Sequence, residues 1–216
     1  GTDNGGVATV SLLNGIVENF YLDSQMPIQN RVLSLVTDRA NTLWIGTDQG
    51  VFSNKENTDV LVRYPILTDQ YSLPYSVKNI TMGKDGTIFI AHFAGIAEKK
   101  PGDWKFVNLL KSKENIRTYN CFQATTGLYV SNIQGLHIYR NDSLIALYQN
   151  APVLRERITS IAEATDSTLI LSTNGKGLVF YKNGTVINTL TRENGLPSNQ
   201  CQGVFISNNL VWVATN

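Results

Sequence analysis

The chain has 216 residues, 42% of them hydrophobic and 16% charged, with 18 Lys+Arg against 17 Asp+Glu. A chain of this length buries roughly 70–75% of its unfolded surface, enough for a full hydrophobic core without disulfides or metals. A net charge of +1 with no basic run excludes the electrostatic footprint of a nucleic-acid binder or a polybasic membrane-surface protein, and no apolar stretch has the length of a membrane helix or a signal peptide.

The predicted elements repeat along the chain. It opens with GTDNGGV, the second half of a pattern whose first full copy is NRVLSLVTDRANTLWIGTDQGV. That copy reads as a strand at Val32-Leu-Ser-Leu-Val36, a turn at Asp38-Arg-Ala-Asn41 and a second strand within Thr42–Val51. The next has Val77-Lys-Asn-Ile-Thr81, the turn Gly83-Lys-Asp-Gly86, TIFIAHFAGI and a third strand from Gly95. A degenerate copy follows, with Thr118-Tyr-Asn-Cys121 in the first-strand slot, then GLYVSNIQGL, a third strand Gly135–Tyr139, the turn Asn141-Asp-Ser143 and a fourth strand Leu144–Tyr148. The fourth copy has Ile158-Thr-Ser-Ile-Ala162, the turn Ala164-Thr-Asp-Ser167, TLILSTNGKGL, Gly177–Tyr181, Lys182-Asn-Gly184 and Val186–Leu190. Cys201-Gln-Gly-Val-Phe205 and LVWVATN supply the first half of one more.

The small residue that closes each second strand, Gly1, Gly46, Ala91, Ser131, Ser172 and Ala214 in turn, recurs every 40 to 45 residues. Apolar residues alternate with polar ones or form short runs, and no stretch carries a helical stripe. A period of this length with four short strands per unit predicts an all-β fold, a β-propeller of four-stranded antiparallel blades, because stacked blades bury the faces that a lone twisted sheet leaves open. Five repeats make either a closed five-bladed ring or a fragment of a larger, seven-bladed propeller. Residues 1–216 form a single propeller unit or propeller fragment in this reading, and the terminal half-repeats complete one blade between them. Trp44, Phe89, Tyr129, Ile170 and Trp212 share one slot and are expected in the inter-blade core.

Asn-Gly-Leu-Pro-Ser-Asn (194–199), the C-terminal QCQGVFISNNLVWVATN and the copy around Trp44 resemble the two-component regulator propeller repeat, a Leu-x-x-Asn-x-Val opening, a turn, then Leu-Trp-Ile-Gly-Thr-x-x-Gly-Leu. The resemblance runs over essentially the whole chain, strongest around Trp44 and Trp212 and weakest around Tyr129. It implies the periplasmic sensor region of an inner-membrane hybrid or histidine-kinase regulator, which signals through downstream modules of the same polypeptide and dimerises in the full-length protein. In that family the propellers are usually seven-bladed and precede an immunoglobulin-like module, a membrane helix and a kinase.

The residues themselves carry little catalytic chemistry. His92 and His137 have no spaced partners for a metal, Cys121 and Cys201 lie too far apart for a Cys-x-x-Cys site, and no nucleotide fingerprint or nucleophile elbow occurs. The reading is therefore non-enzymatic for this chain, without cofactor or metal. Asp38, Asp85 and Asp166 sit in turns and read as turn formers. In propellers the loop leading into the innermost strand and the turn between second and third strands share one face. On that face the candidate ligand-binding residues are Arg31, Asp48, Tyr71, Tyr75, His92, Asn132, Arg155, Arg157, Asn174 and Gln200. Aromatic planes with amide and guanidinium donors suit an oligosaccharide or another small polar ligand. The alternatives are a protein-interaction scaffold of a secretion or surface-assembly system and, further off, a propeller glycoside hydrolase or lyase.

Overall fold

The computed structural model describes residues 7–20, 31–54, 61–67, 76–110, 116–149 and 151–216, in two compact units, Gly1–Asn115 and Ile116–Asn216. In the first, β1 (Val7–Val10) and β2 (Val17–Phe20) form a hairpin. The strands β3 (Val32–Thr37), β4 (Leu43–Thr47), β5 (Gly50–Asn54) and β6 (Leu61–Tyr64) then make a four-stranded antiparallel meander. After β7 (Ile66–Leu67) comes a second meander of β8 (Val77–Met82), β9 (Ile88–His92), β10 (Gly95–Lys99) and β11 (Phe106–Asn108). The short β7 was not expected; it pairs in parallel with the outer edge of that blade at β11.

In the second unit β12 (Thr118–Ala124), β13 (Gly127–Asn132), β14 (Gly135–Arg140) and β15 (Ser143–Ala146) build one blade. The next consists of β16 (Ile158–Glu163), β17 (Leu169–Thr173), β18 (Leu178–Lys182) and β19 (Thr185–Leu190). The hairpin of β20 (Cys201–Ser207) and β21 (Leu210–Thr215) ends the unit. The architecture is thus all-β and propeller-like, built of the antiparallel blades that the repeat predicts.

Turn chemistry drives these hairpins. The carboxylates of Asp38, Asp85 and Asp166 accept amide hydrogens from Thr42, Thr87 and Thr168 at 2.9–3.1 Å, closing each first-to-second-strand turn on itself. Asn141-Asp142 and Asn208-Asn209 hold two successive positive φ angles, the hairpin geometry that short Asx side chains tolerate.

Every innermost strand starts with the same irregularity. In β3, β8, β12, β16 and β20 the register slips after the first residue, so that the ladder skips Leu33, Lys78, Tyr119, Thr159 and Gln202. Such a bulge bends the strand and re-aims the extra side chain. The small closing residue also acquires a reason: a Cβ on Gly46 would stand 2.9 Å from Val77 Cγ1, because the next blade's first strand packs directly on it.

Apolar side chains from facing blades fill the core. Trp44, Val51, Val77, Ile90, Ala97 and Phe106 bury together in the first unit, and Tyr129, Leu136, Ile158, Leu171, Val179 and Tyr181 in the second. Trp212 corrects an expectation. It shares the repeat slot of Trp44, yet it is 60% exposed where Trp44 is 3% exposed, because β20 and β21 form a two-stranded sheet that leaves the face bearing Trp212 and Phe205 open.

Candidate functional site

In each blade the innermost strand begins at the end where the second-to-third-strand turn lies. That end, the upper rim, is built the same way five times. The first turn residue donates its amide to the carbonyl just before the innermost strand: Asp48 to Arg31 (3.2 Å), Phe93 to Ser76 (3.2 Å), Ile133 to Arg117 (3.2 Å), Asn174 to Arg157 (3.0 Å) and Asn216 to Gln200 (3.1 Å). The backbone at these positions is therefore committed while the side chains are free to vary, and three of the five carbonyl residues are arginines.

In the second unit the rim concentrates cations on aromatic rings. Arg157 and Arg117 place their guanidinium carbons 4.5 and 5.5 Å from the centre of one ring, that of Tyr119. Tyr119 is the bulged residue of β12, so the irregularity puts it within reach of both. The chain crosses from β15 to β16 through a 3₁₀ turn, Pro152–Arg155, which sets Arg155 4.9 Å from the ring centre of Tyr148. The His137 ring stands nearly perpendicular to that ring, with the two ring centres 5.3 Å apart. Arg155 and Arg157 are exposed and, among the described residues, make no ion pair. Held on rings, planar guanidinium groups present oriented N–H edges to solvent, suited to ligand hydroxyl or oxyanion oxygens. Asn174 and Gln200, both exposed, stand beside this group and are joined by a β-bridge.

Other expected residues are absorbed by the turns. In the first unit the Arg31 amide donates to Asp48 Oδ1 at 3.2 Å, so that carboxylate ties the loop to the turn. His92 lies at the end of β9, not in the turn as read from the sequence, and is fully buried. Its Nδ1 accepts the Ala94 amide at 3.2 Å and its Nε2 meets Asn108 Oδ1 at 2.8 Å. Burial pulls its pKa from 6.5 to about 4 against the opposing Asn108 hydrogen bond, so it is neutral at physiological pH. Asn132 fills the equivalent place in β13, 1% exposed, accepting the Gln134 amide at 2.8 Å. Thr47 and Thr173 close the same turn through their hydroxyls. Tyr71 and Tyr75 lie outside the described residues. Sequence reading missed Arg117, Tyr119 and Tyr148. The alignment of Arg117 with Arg31 and Arg157 was the available signal, obscured by the degenerate third copy.

No described group of three or more His, Cys, Asp or Glu side chains is arranged to hold a metal. Both thiols are buried, and burial pushes the pKa of each upward, away from reactive thiolate character. No helix of the described residues is long and apolar enough to cross a membrane.

Blades of this kind define a β-propeller, and comparison with known proteins finds the same fold. The "Two component regulator propeller" model matches residues 27–49, one copy of the repeat. No curated protein sequence matches the chain. Among solved structures, the whole chain aligns with a domain from B. thetaiotaomicron described as the extracellular part of the hybrid two component system BT4673, at 20% identity and a TM-score of 0.77. The chain spans 29% of that domain's length. PorZ, a surface component of the type-IX secretion system of Porphyromonas gingivalis, aligns over 100% of the chain and 35% of its own length, at 14% identity and a TM-score of 0.74. A virginiamycin B lyase from Staphylococcus aureus aligns over 96% of the chain and 76% of its own, at 12% identity and a TM-score of 0.68. Identities this low speak to the fold alone.

Proposed function

We propose that this chain is a non-catalytic ligand-binding propeller in the extracytoplasmic, periplasmic part of a two-component regulator. It senses an oligosaccharide and signals through further modules of the same polypeptide, a histidine kinase among them. The observation that carries the binding site is the pair of arginines stacked on Tyr119, joined on the same rim by Arg155 on Tyr148. The turns use the backbone carbonyls of Arg117 and Arg157, a role that Ser76 and Gln200 fill in other copies. Guanidinium N–H groups and amides from Asn174 and Gln200 suit pairing with sugar hydroxyls. The family and the resemblance to an extracellular regulator domain support the cellular role. A non-catalytic reading accords with the histidines and thiols, all of which are buried.

Calorimetric titration of the chain with neutral and acidic oligosaccharides tests this. Binding that weakens roughly tenfold on Arg157→Ala or Tyr119→Ala supports it. If no oligosaccharide binds while a defined partner protein is retained, the sensor reading fails and the scaffold reading replaces it. Turnover of a bound sugar would overturn the non-catalytic assignment.

A further inference from the structure

The opposite, lower rim of the first unit holds a cleft between its two full blades. It has a volume of about 970 Å³ and is bounded by Trp44, Asn54 and Tyr64 of one blade and Lys99 and Pro101 of the next. Lys99 extends from β10 across the interface, its Nζ 5.1 Å from the Trp44 ring centre and 5.9 Å from that of Tyr64. The residue is only 9% exposed, and no hydrogen bond or ion pair reaches its ammonium among the described residues. Desolvation lowers its pKa, with the charges of Asp103 and Asp38 acting against that. An aliphatic cation buried on two aromatic rings and open to a cavity is a costly feature to keep for packing alone.

The repeat supplies an internal control. Lys99 pairs across the ladder with Ile88 just as Tyr181 pairs with Leu169, so the two occupy one slot. In the second unit Tyr181 fills that slot, 4% exposed, with its ring edge-on to Tyr129 at 6.3 Å. The cleft beside it measures only about 260 Å³. A tyrosine at this slot closes the groove, whereas the lysine leaves it open and places a charge in it.

The other charged groups of the larger cleft define what would enter it. Asp38 is engaged by the Trp44 indole N–H at 2.8 Å and by two amides, and Asp85 by the amide and hydroxyl of Thr87. Asn54 Oδ1 accepts the Leu43 amide at 2.7 Å, leaving its NH₂ as a donor. Arg39 stands on the rim, hydrogen-bonded to the Lys84 carbonyl. Hydrogen bonding occupies the Asp38 and Asp85 carboxylates without removing their charge, and the side chains with N–H groups left to offer a ligand are Lys99, Asn54 and Arg39, beside an aromatic wall.

We propose that this cleft binds a small ring-bearing organic anion, a carboxylate or a sulfate or phosphate ester, whose acidic group pairs with the Lys99 ammonium while its ring lies along Tyr64. The site is separate from the upper-rim arginines and stands whether or not those bind a sugar.

The test titrates the chain, by NMR chemical-shift perturbation, with glucuronate, glucose 6-sulfate, glucose 6-phosphate, benzoate and neutral glucose. At least one anion is expected to perturb the Trp44 indole resonance saturably, with glucose binding at least about tenfold more weakly for want of a charge-assisted hydrogen bond. Which anion binds best separates carboxylate from ester ligands. Lys99→Met removes the charge and keeps the stem, and Lys99→Tyr installs the residue that the second unit already accommodates, so both should fold. Each is expected to weaken binding roughly tenfold or more. Absence of saturable shifts with every anion at millimolar concentration overturns the proposal. So does equal binding of glucose, or full binding by both Lys99 variants in folded protein.

Discussion

Gly135→Ala probes the turn that carries Arg155. Gly135 opens β14 with φ at +127°, in a region that L-residues rarely adopt. An added Cβ would stand 2.4 Å from the Leu154 carbonyl oxygen, 2.8 Å from Arg155 Cα and 2.9 Å from Tyr148 Cδ1. Two of those three atoms are backbone, so relief requires the 3₁₀ turn itself to move. The left-handed conformation costs about 1–2 kcal/mol for alanine, and overpacking adds about 1–3 kcal/mol. For a chain of this size each kcal/mol lowers Tm by about 2–4 °C, so a drop of about 4–20 °C is expected by calorimetry. Gly184→Ala is the control: its φ of +85° carries the backbone cost, but nothing lies within 4 Å of the new Cβ. It should fall by only about 2–8 °C. In Gly135→Ala the His137 ring resonances should also shift as Tyr148 is displaced. Equal melting temperatures for the two variants, with His137 unmoved, would refute the steric argument.

Three further outcomes follow from the same geometry. His92 binds fewer protons folded than unfolded, so its contribution to stability is complete above its unfolded pKa of 6.5 and is lost as pH falls toward about 4. The loss is roughly 3 kcal/mol. His92→Asn, which copies the turn-closing Asn132, should remove that segment of the wild-type pH profile in urea unfolding, and a variant that keeps the wild-type pH dependence between pH 6.5 and 4 would contradict the assignment. Trp44→Ala should cost about 3–5 kcal/mol and Trp212→Ala under about 1 kcal/mol, although the repeat makes them equivalent; similar urea midpoints would contradict the burial difference. Cys121 and Cys201 should resist iodoacetamide in the folded chain and react on denaturation, as read by mass spectrometry, and labelling under native conditions would show that the blades open.

Much of the fold could be read from the sequence because its signals are local. The Asp-led tetrads bond within themselves, the Asn pairs set their own φ, and the period of the apolar runs needs no partner to be recognised. The features that place the site are not local in this way. The bulge after the first residue of each innermost strand depends on the strand paired with it, and nothing in Thr118-Tyr-Asn announces that Tyr119 turns toward Arg157, 38 positions further along. His92 and Asn132 carry polar side chains of a kind found in binding loops, and only the turn amides they accept show that they face inward. Lys99 reads as a surface lysine until Trp44 of the preceding blade is laid beneath it.

A repeat protein separates packing from function more sharply than a single-copy fold, because each slot is solved several times under nearly the same constraints. Where the solutions agree, packing explains them: at Gly46 the neighbouring strand leaves no room for a side chain, and the other copies keep alanine or serine there. Where one copy departs at a structural cost, the cost needs another beneficiary. The carbonyl slot of the upper rim tolerates serine and glutamine at Ser76 and Gln200, so packing does not require arginine at positions 31, 117 and 157. The groove slot is filled by tyrosine at Tyr181 and by a buried cation at Lys99. Lysine there gives up aromatic area and desolvates a charge. Arg117 and Arg157 at the one slot and Lys99 at the other bring positive charge onto tyrosine or tryptophan rings, at opposite ends of the blades. Substitution at each end should therefore change the binding of anionic or hydroxyl-rich molecules well before it changes the blades themselves.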